Sequence, residues 1–481
     1  MPRPAILALL SLGFLLSLHA QDPNPPTFQG LYTPTPLQGE ASRLMKEIKD
    51  HQEAVSNLEY LCDVIGPRLT GSAQMNKAAA WAQEKLKAYG AVNVHLESYP
   101  LGGPAWTRGR DHARLLTHNG APVRVDQMAW TPATKGTVKG EVLLFGGTSM
   151  TEMASALTGK MKGKILFMGR QPRLKEGEDR ATFRAAREAL MKAIESEGAL
   201  ALLIPSEKQD GHLNMSGSPK LEMDMGVAVP TAFVAPEDAG LLRRLLARKE
   251  TVSLELALTG TFSAAPVDAV NVVGELRGSE KPEEVVIVGG HFDSWDLGTG
   301  ATDNGTGTVV TLETLRAMQA CGLKPKRTVR FVLWSGEEQG LFGSAAYVKA
   351  HTAELKQIQA VLVHDLGTGK VKGWTLQGRE DCLPMLAAAL APANGIGGKD
   401  LLAYALDGSD HNSFEPHGVP AFFAHQEPAD YFTSTHHSQT DTFDHVVPED
   451  LTQGAQVVAV TAWGLANGER LPHVAPKPEA H

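Results

Sequence analysis

Histidine and carboxylate residues recur directly after the apolar stretches in the second half of the chain. They are His291, Asp293, Asp303, Glu337, Glu338, Asp365 and His437. The adjacent pair Glu337 and Glu338, in "WSGEEQG", follows "RTVRFVLW", which is typical of a buried strand. Adjacent carboxylates repel each other, and each needs water or a partner to remain ionised. This position predicts that positive charge is bound at the end of the strand.

These residue types are the ligands that zinc takes in proteins when cysteine is not used, and cobalt or manganese can substitute for it. One tetrahedral catalytic zinc needs fewer ligands than two imidazoles and several carboxylates provide. Two zinc ions that share a bridging carboxylate would use the set more fully. The residues therefore predict two zinc ions per chain, with one of Glu337 and Glu338 binding metal and the other handling protons.

The segments around these residues alternate between strands and helices. "EEVVIVGG" precedes the helical "TVVTLETLRAMQA", "RTVRFVLW" precedes "LFGSAAYVKAH", and "QAVLVHDLG" opens a third unit. Continuous apolar strands that alternate with helices indicate an α/β fold with a largely parallel central sheet flanked by helices. In such sheets, ligands bind beyond the carboxyl ends of the strands, which is where the candidate residues lie.

The first half of the chain has a different texture. Two amphipathic stretches, "ASRLMKEIKDHQEAVSNLEYLCDVIG" and "SAQMNKAAAWAQEKLKAYG", predict helices, the second capped by Ser72 and ended by Gly90. Short β-like runs follow, including "GEVLLFGG" and "GALALLIPS". We expect a catalytic domain in two parts, 41–127 and 263–470, an inserted β-rich domain at 128–262, and a disordered tail at 471–481.

Composition narrows the class of protein. The chain has 481 residues, of which 42% are hydrophobic and 21% charged, as in a globular protein of about two domains. A net charge of −9 argues against nucleic acid and against an anionic membrane surface as partners. The three cysteines, Cys62, Cys321 and Cys382, are too few and too widely spaced for a disulfide framework.

The N-terminus "MPRPAILALLSLGFLLSLHAQDP" has the order of a secretory signal. A basic residue precedes a leucine-rich run, and the small residue Ala20 precedes a polar sequence, so residues 1–20 are the predicted signal peptide. A membrane anchor is disfavoured because the apolar run is short and no stop-transfer sequence follows. We therefore expect a secreted or periplasmic protein.

Five motifs in order, "GGHFDSWD", "GATDNGTG", "SGEEQGLFGS", "HDLG" and "HHSQTDT", resemble the M28 family of di-zinc exopeptidases. Within it they are similar to the carboxypeptidase Q (plasma glutamate carboxypeptidase)-like branch. The resemblance covers most of the mature chain and includes "IGPRLTGS" before the second helix. It implies the mixed, largely parallel sheet of the zinc exopeptidases and an inserted domain of the protease-associated kind.

The resemblance also assigns roles to the candidate residues. It implies a metal ligand set of His291, Asp303, Glu338, Asp365 and His437, with Asp303 bridging both zinc ions. His436 is the adjacent alternative to His437. The implied catalytic residues are Glu337, as general base, and Asp293, which would hold the His291 ring in the right tautomer. The family pattern further suggests a cis peptide bond after Asp303.

The predicted function is a secreted metallo-exopeptidase that hydrolyses unblocked dipeptides or short peptides through a zinc-bridged hydroxide. Its partners would be the small peptide substrate and a second copy in a homodimer, with no nucleic acid and no membrane after signal cleavage. The alternatives are an M20-type peptidase, a glutaminyl-cyclase-like acyltransferase with a single zinc, and a receptor-like relative without catalysis. The segment "DGSDHNSF" either lines the site or is an ordinary polar loop, and Tyr431 either faces substrate or is a packed aromatic.

Overall fold

The computed structural model describes residues 38–146, 150–169, 179–219 and 229–475. The predicted signal peptide at 1–20 lies outside these ranges. The strands are β1 (Val92–Thr107), β2 (His112–Leu115), β3 (Pro122–Val123), β4 (Val125–Gln127), β5 (Val138–Phe145), β6 (Ile165–Met168), β7 (Ala201–Pro205), β8 (Thr231–Val234), β9 (Ser253–Ala257), β10 (Thr261–Leu276), β11 (Lys281–His291), β12 (Arg327–Trp334), β13 (Ile358–Val363), β14 (Val371–Thr375), β15 (Asp400–Leu402) and β16 (Ala421–Gln426).

The helices include those that the sequence predicts before the inserted domain and after the apolar strands. They are α1 (Gln38–His51), α2 (Ala54–Glu59), α3 (Ala73–Ala88), α4 (Met150–Leu157), α5 (Arg180–Ser196), α6 (Pro236–Ala247), α7 (Thr306–Ala320), α8 (Phe342–Ala350), α9 (Leu383–Leu390) and α10 (Pro448–Asn467). The predicted cap of α3 is confirmed, because the Ser72 hydroxyl accepts the Met75 N–H at 3.1 Å.

The chain forms two compact units. The large unit contains residues 38–100, 268–436 and 440–475, and the inserted unit contains Leu101–Val267 with residues 437–439. The predicted start of the inserted domain at residue 128 therefore falls inside the inserted unit, after β2, β3 and β4. These strands are short, but β2 pairs with β9 and β4 with β8, so sheet pairing assigns them to this unit.

An eight-stranded sheet in the order β1-β10-β12-β11-β13-β16-β14-β15 runs through the large unit. Its central strands β12, β11, β13 and β16 are parallel, whereas β10 pairs antiparallel with β12, and β14 pairs antiparallel with β16 and parallel with β15. In this register Val288 of β11 lies between Phe331 of β12 and Leu362 of β13. The predicted mixed, largely parallel sheet is confirmed.

Both faces of this sheet are covered, which explains why its strands read as continuous apolar runs. Along β11, Val286 and Val288 pack into the core that α7 and α10 share. The alternate residues Val285 and Ile287 belong to a second core with Tyr347 of α8. The helices therefore flank the sheet as predicted, and the strand ends are left to carry polar side chains.

The inserted unit has its own eight-stranded sheet, in the order β3-β2-β9-β5-β6-β7-β8-β4. Its neighbours β5, β6, β7 and β8 are parallel, and its core includes Phe167, Leu203 and Leu254. Helix α5 lies between β6 and β7 in the chain order of this unit. The protease-associated character of the unit stays a prediction.

The C-terminal segment continues to pack beyond the predicted start of the tail at 471. Leu471 is buried, the His473 Nε2 lies 2.8 Å from the Ile358 carbonyl oxygen, and the Val474 N–H donates to the Gly418 carbonyl at 3.3 Å. Residues 476–481 lie outside the described ranges. In the part of the chain that the structure describes, no helix combines the length and the apolar character that a membrane span requires.

Candidate metal centre

The candidate centre begins where three parallel strands end at one edge of the large sheet. His291 is the last residue of β11 and pairs with Trp334, the last residue of β12. Asp365 follows the end of β13. The His291 Nε2 lies 3.1 Å from Asp365 Oδ1 and 3.3 Å from Asp303 Oδ1. His291, Asp303 and Asp365 are all buried, and their ligand atoms lie within 4.8 Å of one another.

Asp303 comes from the turn Ala301–Gly305, which leads into α7. The peptide bond to Asn304 is cis, as the family pattern suggests. The carboxylate of Asp441 accepts the Asp303 N–H at 3.1 Å and the Thr302 N–H at 2.7 Å. Asp441 therefore fixes the backbone at Asp303 and with it the starting point of the Asp303 side chain.

Glu337 and Glu338 occupy the loop after β12, and Asp293 links this loop to the end of β11. The Glu337 Oε2 lies 4.0 Å from the His291 Nε2. Asp293 Oδ1 accepts the Glu337 N–H at 3.3 Å, and its Oδ2 accepts the Glu338 N–H at 3.4 Å and the Thr70 hydroxyl at 2.9 Å. A fully buried Asp293 carboxylate thus fixes the backbone of both glutamates.

The predicted action of Asp293 on the His291 ring differs in detail from the observed contact. The His291 Nδ1 lies 3.0 Å from the Asp293 backbone carbonyl oxygen, but 3.7 Å from the nearer carboxylate oxygen. The Nδ1–H therefore donates to the main chain, because the carboxylate is turned towards the two glutamate amides. Asp293 still leaves the Nε2 free to face Asp303 and Asp365, which is the tautomer that a metal ligand requires.

Two further side chains contact the candidate ligands without having been predicted firmly. The Trp295 Nε1–H donates to Glu338 Oε2 at 2.7 Å, and the Ser409 hydroxyl donates to Asp365 Oδ2 at 2.6 Å. Trp295 lies in the motif "HFDSWD" and Ser409 in "DGSDHNSF". The second motif therefore borders the site. The sequence alone had equally allowed it to be an ordinary polar loop.

The last predicted metal ligand is one of two adjacent histidines, His436 and His437. Asp303 and His436 bring ligand atoms within 4.8 Å of each other. His437 is the next residue, with a left-handed backbone (φ 51°), and the segment 437–439 groups with the inserted unit. The choice of His437 over His436 stays a prediction.

Burial and mutual repulsion disturb the protonation of the whole group. Burial raises the pKa of Glu337 well above its ordinary value, and the carboxylates of Asp365 and Glu338 raise it further. Burial raises the pKa of Glu338 and of Asp365 as well, with Asp303 contributing to both. For His291, burial lowers the pKa, but the carboxylates of Asp365 and Glu337 outweigh this and hold it well above the ordinary value.

A dication fits this arrangement on the chemistry of its donors. Burial, and after it the neighbouring carboxylates, raises the pKa of these carboxyl groups, so the ionised set needs positive charge beside it. A bound dication reverses that preference, since it favours the ionised carboxylate and the neutral imidazole. The donors are oxygen and nitrogen atoms only, a set that suits zinc, cobalt or manganese.

Two other buried groups border the site. Tyr431 is buried beside Asp303, and burial together with the charge of Asp303 raises the pKa of its phenol well above the ordinary value. The segment "DGSDHNSF" also supplies Asp410, a buried carboxyl whose pKa burial raises to about 7, with Asp365 and Asp293 adding to the shift. Tyr431 is therefore a packed aromatic that also contacts a candidate ligand.

Comparison with known proteins gives consistent results. The profile of Peptidase family M28 matches residues 271–462. Carboxypeptidase Q from Bos taurus is 32% identical to the chain, over 97% of the chain and 97% of that protein.

Two solved structures cover most of the chain. The Peptidase M28 precursor from Shewanella amazonensis SB2B superposes with a TM-score of 0.75 at 29% identity, covering 92% of this chain and 98% of that one. BSAP, a zinc aminopeptidase from Bacillus subtilis, gives a TM-score of 0.65 at 21% identity, covering 87% and 95%, and so supports the fold alone.

Proposed function

The chain belongs to peptidase family M28 and is a metallopeptidase hydrolase, and we propose on that premise that it is a secreted exopeptidase with two zinc ions. Its proposed substrates are unblocked dipeptides or short peptides. The observation that carries the proposal is the buried cluster of His291, Asp303 and Asp365, with the Glu337 carboxylate 4.0 Å from His291.

We propose that the bound metal is zinc and that each chain holds two ions. The residues that would hold the ions are His291, Asp303, Glu338, Asp365 and His437. Two zinc ions would need one carboxylate that both could reach. Asp303 suits the shared position, because its ligand atoms lie within 4.8 Å of those of His291 and Asp365 and also within 4.8 Å of that of His436.

The reaction depends on how the chain moves one proton. When bound, the zinc ions supply a Lewis acid that polarises the peptide carbonyl and lowers the pKa of a water molecule. Glu337 is proposed to accept the proton of that water and to deliver it to the leaving amine. Glu337 is buried, which shields its carboxylate from bulk water between the two transfers.

The other residues around Glu337 position it and do not exchange protons in this proposal. The Asp293 carboxylate accepts the N–H groups of both glutamates, so that Glu337 and Glu338 present their side chains from a fixed loop. Trp295 donates to Glu338, and Ser409 donates to Asp365. These bonds leave Glu337 as the carboxylate assigned to proton transfer.

Recognition of a free amino terminus is proposed from the excess of carboxylates. An unprotonated α-amine can bind zinc, and a protonated one can donate hydrogen bonds to a carboxylate. A blocked amine can do neither well. The preference for dipeptides over long peptides is proposed from the resemblance of the motifs to the carboxypeptidase Q-like branch, and the assays below decide between the two chain ends.

Export and self-association are the remaining parts of the proposal. The N-terminal sequence supports secretion or periplasmic location by its order of basic, apolar and small residues. Size and sedimentation measurements on the mature protein would test the homodimer. N-terminal sequencing of the exported protein would test cleavage after Ala20.

A panel of dipeptides and aminoacyl-arylamides, assayed with and without a strong chelator, tests the function. We expect the chelator to abolish hydrolysis, and zinc or cobalt to restore it. Two metals per active chain are expected from elemental analysis. One metal with cyclisation of N-terminal glutamine would support the cyclase-like alternative, and bound metal without any turnover would support the receptor-like one.

N-acetylation of the best dipeptide substrate tests how the amine is recognised. We expect kcat/KM to fall at least about tenfold, which corresponds to about 1.4 kcal/mol of transition-state binding. The matched control is methylation of the substrate's carboxyl terminus. If the acetylated peptide were cleaved as fast or faster, and the ester more slowly, the enzyme would be a carboxypeptidase.

A further inference from the structure

Arg68, in the segment "IGPRLTGS", is completely buried and makes an unusual set of hydrogen bonds. Its Nε–H donates to the Phe292 carbonyl at 2.8 Å, and its Nη2–H donates to the Gly300 carbonyl at 2.7 Å. Its Nη1–H donates to the Thr299 carbonyl at 2.8 Å and, at 3.4 Å, to that of Gly66. Every one of these acceptors is a backbone carbonyl, so the guanidinium binds main chain where arginine usually binds a carboxylate.

Three of the four acceptors lie in one stretch of the chain. Phe292, Thr299 and Gly300 belong to the loop that starts after His291 and ends before Asp303. His291 and Asp303 are the two ligands whose side chains meet at 3.3 Å. A planar guanidinium with donors in fixed directions therefore sets the distance between the two ends of this loop.

Neighbours of Arg68 strengthen the same connection. The Arg68 N–H donates to the Ser294 hydroxyl at 3.0 Å, and the Ser294 N–H donates to the Arg68 carbonyl at 3.2 Å. The Thr70 hydroxyl donates to Asp293 at 2.9 Å. The segment 66–70 thus contacts the loop at its start, through Phe292 to Ser294, and at its end, through Thr299 and Gly300.

Gly300 shows how closely the guanidinium approaches the loop. Its φ of +64° is a left-handed conformation that side chains disfavour. A Cβ at this position would lie 2.8 Å from Arg68 Nη2 and 2.2 Å from the Ser294 Cβ. The bond from Arg68 to the Gly300 carbonyl therefore depends on the absence of a side chain here.

The charge of Arg68 acts in the same region. Arginine stays protonated in proteins even when it is buried. The guanidinium interacts electrostatically with Asp293, Asp303 and Asp441, the carboxylates that build the Asp303 side of the centre. Since Arg68 donates its hydrogen bonds to carbonyls, these carboxylates keep their oxygens for other partners while they still experience its positive charge.

We propose that Arg68 is a positioning residue for the metal centre, which fixes the loop between His291 and Asp303 and supplies a permanent positive charge behind the ligand carboxylates. The inference rests on the proposed zinc site, but it concerns a residue that would touch neither metal nor substrate. Its expected consequence is a tighter metal site with a constant geometry. Proton transfer by Glu337 would be affected only through that geometry.

Arg68→Lys tests the proposal, with Arg327→Lys as the matched control. Arg327 is also buried and also donates to backbone carbonyls, those of Leu465 and Gly468, in addition to the Glu284 carboxylate. It lies at the start of β12, the end remote from Glu337. We expect Arg68→Lys to weaken zinc binding about 10–100-fold, the usual effect of removing a group that orients ligands. Arg327→Lys should lose thermal stability and keep its zinc affinity.

Three measurements separate a positioning role from a general loss of stability. Competition with a chromophoric chelator gives the zinc affinity, the visible spectrum of the cobalt form reports ligand geometry, and thermal unfolding of the metal-free forms reports the fold. We expect the affinity and the cobalt spectrum to change in Arg68→Lys and not in Arg327→Lys. Wild-type zinc affinity together with a wild-type cobalt spectrum in folded Arg68→Lys would overturn the proposal.

Gly300→Ala decides the question if Arg68→Lys does not fold. It keeps the arginine charge, and its Cβ would displace both Arg68 Nη2 and the Ser294 side chain, which are the two groups that connect segment 66–70 to the loop here. Weaker zinc binding in folded Gly300→Ala supports the proposal, and unchanged binding contradicts it. If the wild-type protein itself bound no zinc, the proposed function would fail first and this inference with it.

Discussion

Asp179 and Asp303 both stand just before a helix, one in each compact unit, yet their surroundings are opposite. Asp179 is exposed, and its carboxylate accepts the Thr182 N–H and the Thr182 hydroxyl, both at 2.8 Å. These bonds hold the pKa of Asp179 below its ordinary value. Asp303 is buried 3.3 Å from His291, and its own N–H donates to a second carboxylate, Asp441.

The difference shows that residue type and position before a helix do not identify a ligand. Asp179 satisfies the free amides at the start of α5, which is the ordinary work of a helix cap. Asp303 makes no such cap for α7 and instead meets residues from the ends of β11 and β13. Convergence of several strand ends is therefore the signal that separates the two cases.

Asp303→Ala should give the largest effect in this comparison. The variant removes the carboxylate proposed to bridge both zinc ions, so we expect metal content and peptidase activity to fall to the level of the chelator-treated protein. Elemental analysis and the dipeptide assay measure both quantities. Two zinc ions retained in a purified, folded Asp303→Ala protein would show that Asp303 is no more a ligand than Asp179 is.

Glu337→Gln sharpens the comparison by separating proton transfer from metal binding. We expect kcat to fall by a factor of about 10²–10⁴, the usual size of a general-base contribution, while both zinc ions remain. Glu338→Ala is the matched variant and should lose metal. If Glu337→Gln lost zinc and Glu338→Ala kept both ions, the two roles would have to be exchanged.

The pH dependence of stability should differ between the metal-free and zinc-loaded proteins. Burial, with the charge of Asp303, raises the pKa of Asp441 to about 7, well above the ordinary 3.8. When the pKa of a carboxyl group is higher in the folded protein than in the unfolded one, its contribution to stability is fully present at a pH below the unfolded-state pKa. This contribution is lost as the pH rises to the folded-state pKa. The raised pKa of His291 acts in the same direction, because the stabilisation that the protonated imidazole gives the folded state is lost as the pH rises.

The metal-free protein should therefore lose stability between about pH 4 and pH 7 relative to the zinc form, in which metal favours the ionised carboxylates. Asp179 contributes equally to the stability of the metal-free and zinc-loaded proteins, so its contribution cancels in the difference between their melting temperatures. Melting temperatures of both forms at several pH values measure the effect. A gap in Tm that narrowed towards pH 7 would contradict the assigned pKa shifts.

Asp179→Ala should give the smallest effect. Loss of the cap removes two hydrogen bonds at the exposed start of α5, so we expect a decrease in Tm of no more than a few degrees and unchanged zinc content and kcat. Thermal unfolding and the dipeptide assay provide the measurements. An activity loss comparable to that of Glu337→Gln would mean that the inserted unit takes part in catalysis.

Sequence analysis predicted the elements that follow from local pattern. The strands β11, β12 and β13 were recognisable because burial on both faces makes them continuously apolar, and Ser72 and Gly90 mark the ends of the α3 segment. The grouping of His291, Asp303 and Asp365 followed from the rule that parallel strands end at one edge.

What could not be predicted depends on partners that are distant along the chain. Nothing near Ser409 in the sequence shows that its hydroxyl meets Asp365, and nothing near Trp295 shows that its indole meets Glu338. The turn of Asp293 towards the glutamate amides likewise depends on how two loops meet. The pairing of β2 with β9, far along the chain, is likewise a contact that local pattern does not reveal.

The packed segment after α10 has a practical consequence for recombinant protein design. A chain shortened at residue 470 would lose the buried Leu471 side chain and the bond between His473 and the Ile358 carbonyl, at the first residue of β13. That strand leads directly to Asp365. A tag attached at residue 470 in place of this segment would therefore remove an anchor of the strand that leads to the proposed ligand Asp365.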